Sequence, residues 1–123
     1  MKLSQDYVRF VQEQLEGLRG LRSARLFGGL GLSVDGVQFA MIIRNGLYFV
    51  VDDSTRPAYE AAGSDCFRYE TRVRQVEVRR YYEVPGEWLE DRERLLALAR
   101  ESLAIARQDR PGHPGRSGPR PAQ

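Results

Sequence analysis

The chain has 123 residues, 41% of them apolar, and a formal net charge of +2. That length suits one domain with a core of its own and is short for two. No apolar run reaches the roughly 18–20 residues that span a bilayer, the N-terminal segment Met1–Asp6 has no secretory h-region, and a single cysteine cannot form an internal disulfide, so the composition points to the cytoplasm.

In chain order, the first element is a helix over about Ser4–Glu16. Ser4 can cap it, and Tyr7, Val8, Val11, Leu15 and Leu18 recur at helical spacing until Gly17 and Gly20 end it. A first strand, Arg22–Phe27, leads into the cluster Gly28-Gly29-Leu30-Gly31. Leu30–Val34 is then the second half of that ribbon or a separate strand. Asp35-Gly36 marks a hairpin before Val37–Ile43, and Asn45-Gly46 marks another before Leu47–Val51. Both dipeptides favour the type I′ turn, whose twist matches antiparallel strands.

Asp52-Asp53-Ser54-Thr55, with Pro57 close behind, starts a short helix through Ala62, and Gly63 ends it. Cys66–Glu70 and Val73–Tyr82 are two more strands. Val76 and Val78 alternate with Glu77 and Arg79, so one face of the second is wet. Pro85-Gly86 breaks the chain. Asp91 caps a last helix to about Arg107, with Leu95, Leu96, Leu98, Ala99, Leu103 and Ala106 on its buried side. The expected fold is α+β and two-layered, with an antiparallel sheet of about five strands. Its order is helix, three strands, helix, two strands, helix.

Residues 1–107 form the expected domain, and residues 108–123 a disordered Pro/Gly/Arg tail holding four of the six prolines. The tail carries Arg110, Arg116 and Arg120 against Asp109, which leaves sixteen basic and sixteen acidic groups in the body. The net charge therefore belongs to the tail, and the body is neutral.

Chemistry-bearing motifs are sparse. The Gly28–Gly31 cluster could cradle a phosphate, but such loops run into a helix, and this one runs into a strand. Gly28, Gly29, Gly31, Gly36 and Gly46 are better read as turn and close-packing glycines. His113, the only histidine, sits between Gly112 and Pro114 with nothing to orient it, and Cys66 lies in an aromatic-flanked strand as a small core residue. Asp52-Asp53 reads as helix capping, because it lacks a calcium loop, and with one histidine and one cysteine a zinc site would need carboxylates as most of its ligands. No catalytic residue, cofactor or metal is expected. Arg72, Arg74, Arg79 and Arg80 beside Tyr81 and Tyr82 combine charge with stacking surface and form the candidate interaction face. Glu70, Glu77 and Glu83 interrupt it.

Taken together, Arg25–Leu32, Asp35–Ile42, Leu47–Asp52, Tyr59–Ser64, Phe67–Glu70, Tyr81–Pro85 and the final helix resemble the N-terminal domain of the TfoX/Sxy competence regulators. The resemblance covers roughly residues 4–107. It implies an α+β fold similar to type III secretion chaperones, in the element order already read. It also implies regulation without catalytic residues. Full-length relatives carry a second, helical domain and promote expression of DNA-uptake genes with the cyclic-AMP receptor protein; here sixteen tail residues stand in its place. The expected activity is that of a stand-alone regulatory module working by protein–protein contact, with transcription machinery as the expected partner and homodimerisation open. The alternative is direct, weak nucleic-acid binding through the Arg72–Tyr82 face and the basic tail. A small-molecule site at the Gly28–Gly31 bend is the third reading.

Overall fold

The computed structural model describes residues 3–26 and 28–109. Along the chain lie α1 (Gln5–Gln14), β1 (Leu21–Leu26), β2 (Gly29–Val34), β3 (Val37–Ile43), β4 (Gly46–Val50), α2 (Arg56–Ala61), β5 (Cys66–Glu70), β6 (Gln75–Glu83), α3 (Gly86–Leu89) and α4 (Arg92–Gln108). The strands form one sheet in the order β1-β2-β3-β4-β6-β5, with every neighbouring pair antiparallel. The α+β class is therefore as expected, with six strands in place of about five. The extra strand comes from the glycine cluster, which folds back as a hairpin: Leu26 pairs with Gly29 across a two-residue loop. His113 and the segment beyond Asp109 lie outside the described residues, as does the disorder expected there.

The turns show how burial overrides local signals. Asp35 (φ 53°) and Gly36 (φ 79°) both take the left-handed conformation between Val34 and Val37, as a type I′ turn requires. At the next hairpin the loop is Arg44-Asn45, one residue earlier than the Asn45-Gly46 signal. Arg44 carries the positive φ (57°), and Gly46 already pairs with Ile43 as the first residue of β4. That register places Leu47 opposite Ile42, both fully buried. A one-residue slip would turn Leu47 and Phe49 out of the core.

The helices cover one face of the sheet. Val8 and Val11 of α1, its C-cap residue Leu15, and Leu95, Ala99, Leu103 and Ala106 of α4 join Leu32, Ala40, Ile42, Leu47 and Phe49 in a single apolar cluster. α4 crosses β3 and β4, where the buried Ser102 hydroxyl donates to the carbonyl of Val50 at 2.8 Å. Both expected caps form: the Ser4 hydroxyl accepts from the Tyr7 N–H, and the Asp91 carboxylate accepts from the Arg94 N–H, each at 3.2 Å. Pro85-Gly86 is not a simple break. It opens the short helix α3, whose Trp88 and Leu89 are buried, with the Trp88 ring edge-on to Tyr59 at 5.0 Å.

Candidate functional site

The Arg72–Tyr82 segment does not form one surface. Arg72 and Arg74 are exposed in the β5–β6 turn, which the Thr71 hydroxyl organises by accepting from the N–H groups of Val73 and Arg74. Arg79 pairs with Glu60 of α2 at 3.6 Å, and Arg80 pairs with Asp109 at the end of α4. Tyr81 is half-buried, its hydroxyl accepting from the Gln38 amide at 3.0 Å. Tyr82 is 1% exposed and donates to Glu60 at 2.6 Å, so its ring belongs to the core and cannot stack on a base. The cause is a bulge: Cys66 pairs with Tyr82 while Phe67 pairs with Val78, so the strand alternation that holds through Arg79 is reset before Tyr82. Burial, and then the Glu60 hydrogen bond, pushes the Tyr82 phenol above its usual range; burial does the same to Tyr81.

The remaining sequence candidates also have structural roles. Gly28 (φ 114°) supplies the left-handed residue between β1 and β2, whereas Gly29 and Gly31 sit inside β2. A Cβ on Gly29 would strike the carbonyl oxygen of Ile42, and one on Gly31 would meet the Gln38 amide. The loop enters a strand, so its N–H groups are not arrayed at a helix start. Cys66 is buried, and burial pushes its thiol up, away from the thiolate that reactivity needs. Asp52 precedes the α2 cap. Its carboxylate accepts from the N–H and hydroxyl groups of Ser54 and Thr55, while Thr55 is the N-cap residue itself. Burial raises the Asp52 pKa, but these hydrogen bonds together outweigh it and hold the carboxyl below its usual range. Among the described residues no group of His, Cys, Asp and Glu is arranged to hold a metal ion.

The surface that stands out is the face of the sheet turned away from the helices. Register puts Met41 opposite Tyr48, Phe67 opposite Val78 and Tyr69 opposite Val76, all on that face. Met41 (3% exposed) and Phe67 (7%) are buried yet lie outside the helix-side cluster, which identifies a second, smaller apolar layer. Tyr48 meets Phe67 edge-to-face at 5.3 Å, and Phe67 lies 6.1 Å from Tyr69. Ile43, Arg44, Phe67 and Tyr69 enclose a cleft of about 280 Å³. Tyr69 is 43% exposed at its rim, and no described helix packs over it. Sequence reading treated Phe67 and Tyr69 only as flanks of Cys66. The signal was their alternation with Cys66 and Arg68, matched by Val76 and Val78 on the facing strand.

A family model described as the TfoX N-terminal domain matches residues 13–106. The chain belongs to that family. The match runs from the last residues of α1 to near the end of α4, so all six strands lie within the TfoX N-terminal domain. A comparison with curated proteins returns no match. As a TfoX N-terminal domain the chain is a TfoX-like regulatory module. No helix among its described residues is long and apolar enough to cross a membrane.

Proposed function

We propose that this TfoX N-terminal domain is a non-enzymatic regulatory module that works in the cytoplasm by protein–protein contact. The helix-free face of its sheet is the contact surface, and transcription machinery controlling DNA-uptake genes is the partner class. The observation that carries this reading is the aromatic cleft at Phe67 and Tyr69: an apolar surface with an exposed tyrosine at its rim is the composition that anchors protein partners. Arg44 stands at the same cleft with no ion pair among the described residues, so a partner can add a carboxylate to apolar contact. The rival nucleic-acid reading loses its stacking platform with Tyr82 in the core, and its arginines turn to different elements, Arg79 toward Glu60 and Arg80 to Asp109.

Affinity capture from nuclease-treated extract tests this. Proteins held by the wild-type chain and lost with Tyr69→Asp are expected. Retention that requires nucleic acid, or an empty capture, counts against it.

A further inference from the structure

A second concavity lies at the other end of the molecule, between the α1–β1 connection, the β2–β3 turn and α4. It measures about 680 Å³, within the range of about 300–1,000 Å³ typical of ligand sites. Its charge is unusual for a neutral body: Arg19, Arg100 and Arg107 line it against one carboxylate, Asp35. Arg100 and Arg107 lie two turns apart on α4, and the fold brings Arg19 of the α1–β1 connection to them.

Their donors are largely unspent. Arg107 approaches Asp35 at 3.7 Å, and Arg100 donates to the carbonyl of Gly17 at 3.5 Å. Both are long beside the roughly 2.7–2.9 Å of a charge-assisted hydrogen bond. Arg19 has no ion pair among the described residues. Each guanidinium presents five N–H groups in a planar fork suited to phosphate or carboxylate. Leu18, Val34 and Leu103 add apolar lining, and Gly20, in the left-handed conformation (φ 79°), lines the cleft without a side chain.

We propose that this cleft binds a small, multiply charged organic anion, its phosphate or carboxylate groups held by Arg19, Arg100 and Arg107 and its less polar body against Leu18, Val34 and Leu103. A concave site with an apolar floor fits a small anion better than the backbone of a duplex, which needs an extended basic track. Helix ends account for part of the arrangement, since Arg107 lies in the last turn of α4, where a cation complements the dipole. That role concerns stability alone and predicts no ligand. The proposal is independent of the sheet-face reading and stands or falls without it.

Thermal unfolding and calorimetry of the full chain test it, with ATP, pyrophosphate and citrate as probes at about 5 mM. We expect ATP or citrate to raise Tm saturably by about 5 °C, with pyrophosphate weaker because it has no body to meet the floor. Arg19→Gln removes an exposed side chain without an ion pair, so the fold is kept while affinity falls about tenfold. Arg100→Gln with Arg107→Gln abolishes the shift. If ATP is active and citrate inactive, phosphate is the recognised group; the reverse assigns carboxylate. A Tm that none of the three anions moves overturns the proposal, as does an undiminished affinity in Arg19→Gln or a shift surviving in the Arg100→Gln/Arg107→Gln variant. Displacement of the bound anion by duplex DNA with affinity growing with duplex length also overturns it, by making the cleft part of a polyanion track.

Discussion

The two faces of the sheet are built from similar side chains and differ in what covers them. The covered face holds Phe39, Phe49 and Tyr82, all at 1% exposure or less, locked under α1, α2 and α4. The open face holds Tyr48, Phe67 and Tyr69, aromatic in the same way, with Tyr69 left 43% exposed. Aromatic content therefore does not distinguish the covered face from the open one in this domain. What distinguishes them is whether the chain supplies its own helix as a lid. On the open face it supplies none among the described residues, and that is where a partner has apolar area to gain.

Truncation should separate the faces most sharply. Phe49→Ala removes a fully buried ring and should cost about 3–5 kcal/mol in chemical denaturation, whereas Tyr69→Ala should stay within about 0.5 kcal/mol. Equal costs would mean that the open face is a second core. Gly29→Ala comes next at about 1–3 kcal/mol, because its Cβ meets the Ile42 carbonyl oxygen; Gly31→Ala should cost less, since the Gln38 amide tip can swing away. Glu60→Ala should cost about 1–3 kcal/mol by stranding the buried Tyr82 hydroxyl, with Glu60→Gln restoring much of it.

A smaller effect concerns pH. The Asp52 carboxyl is held below its ordinary range in the fold, so its contribution is present above the unfolded-state pKa and lost as pH falls through the folded one. Asp52→Ala should cost about 1 kcal/mol at neutral pH, and the difference from wild type should close below about pH 4. A gap constant down to acid pH would show that the carboxylate charge is not what holds the turn before α2.

Much of this was legible in the sequence where the physics is local. Ser4 and Asp91 cap the helices they precede, and Asp35-Gly36 makes the expected turn, because these depend on a few neighbouring residues. The second turn is displaced by one residue because pairing of Leu47 with Ile42, a long-range burial, outweighs the preference of Asn45-Gly46. Tyr82 reads as surface because alternation is extrapolated through a bulge that only the β4–β6–β5 pairing creates. The candidate sites are non-local throughout. The Arg79–Glu60 pair, the Phe67–Ile43 cleft and the Arg19–Arg100–Arg107 cluster each join elements far apart in the chain. Arg79 and Arg80, neighbours in sequence, turn to different elements through Glu60 and Asp109, so a basic run was a poor guide to a single charged surface.

The open sheet face, rather than the β6 arginines, is the contact surface we propose for this domain. Quantitative capture from one nuclease-treated extract, with the wild-type chain, Tyr69→Asp and the Arg79→Gln/Arg80→Gln double variant side by side, tests it most directly. The double variant is expected to retain the wild-type set of proteins, and Tyr69→Asp, folded and equally stable, to lose it. Loss with the arginine variant and retention with Tyr69→Asp would contradict it.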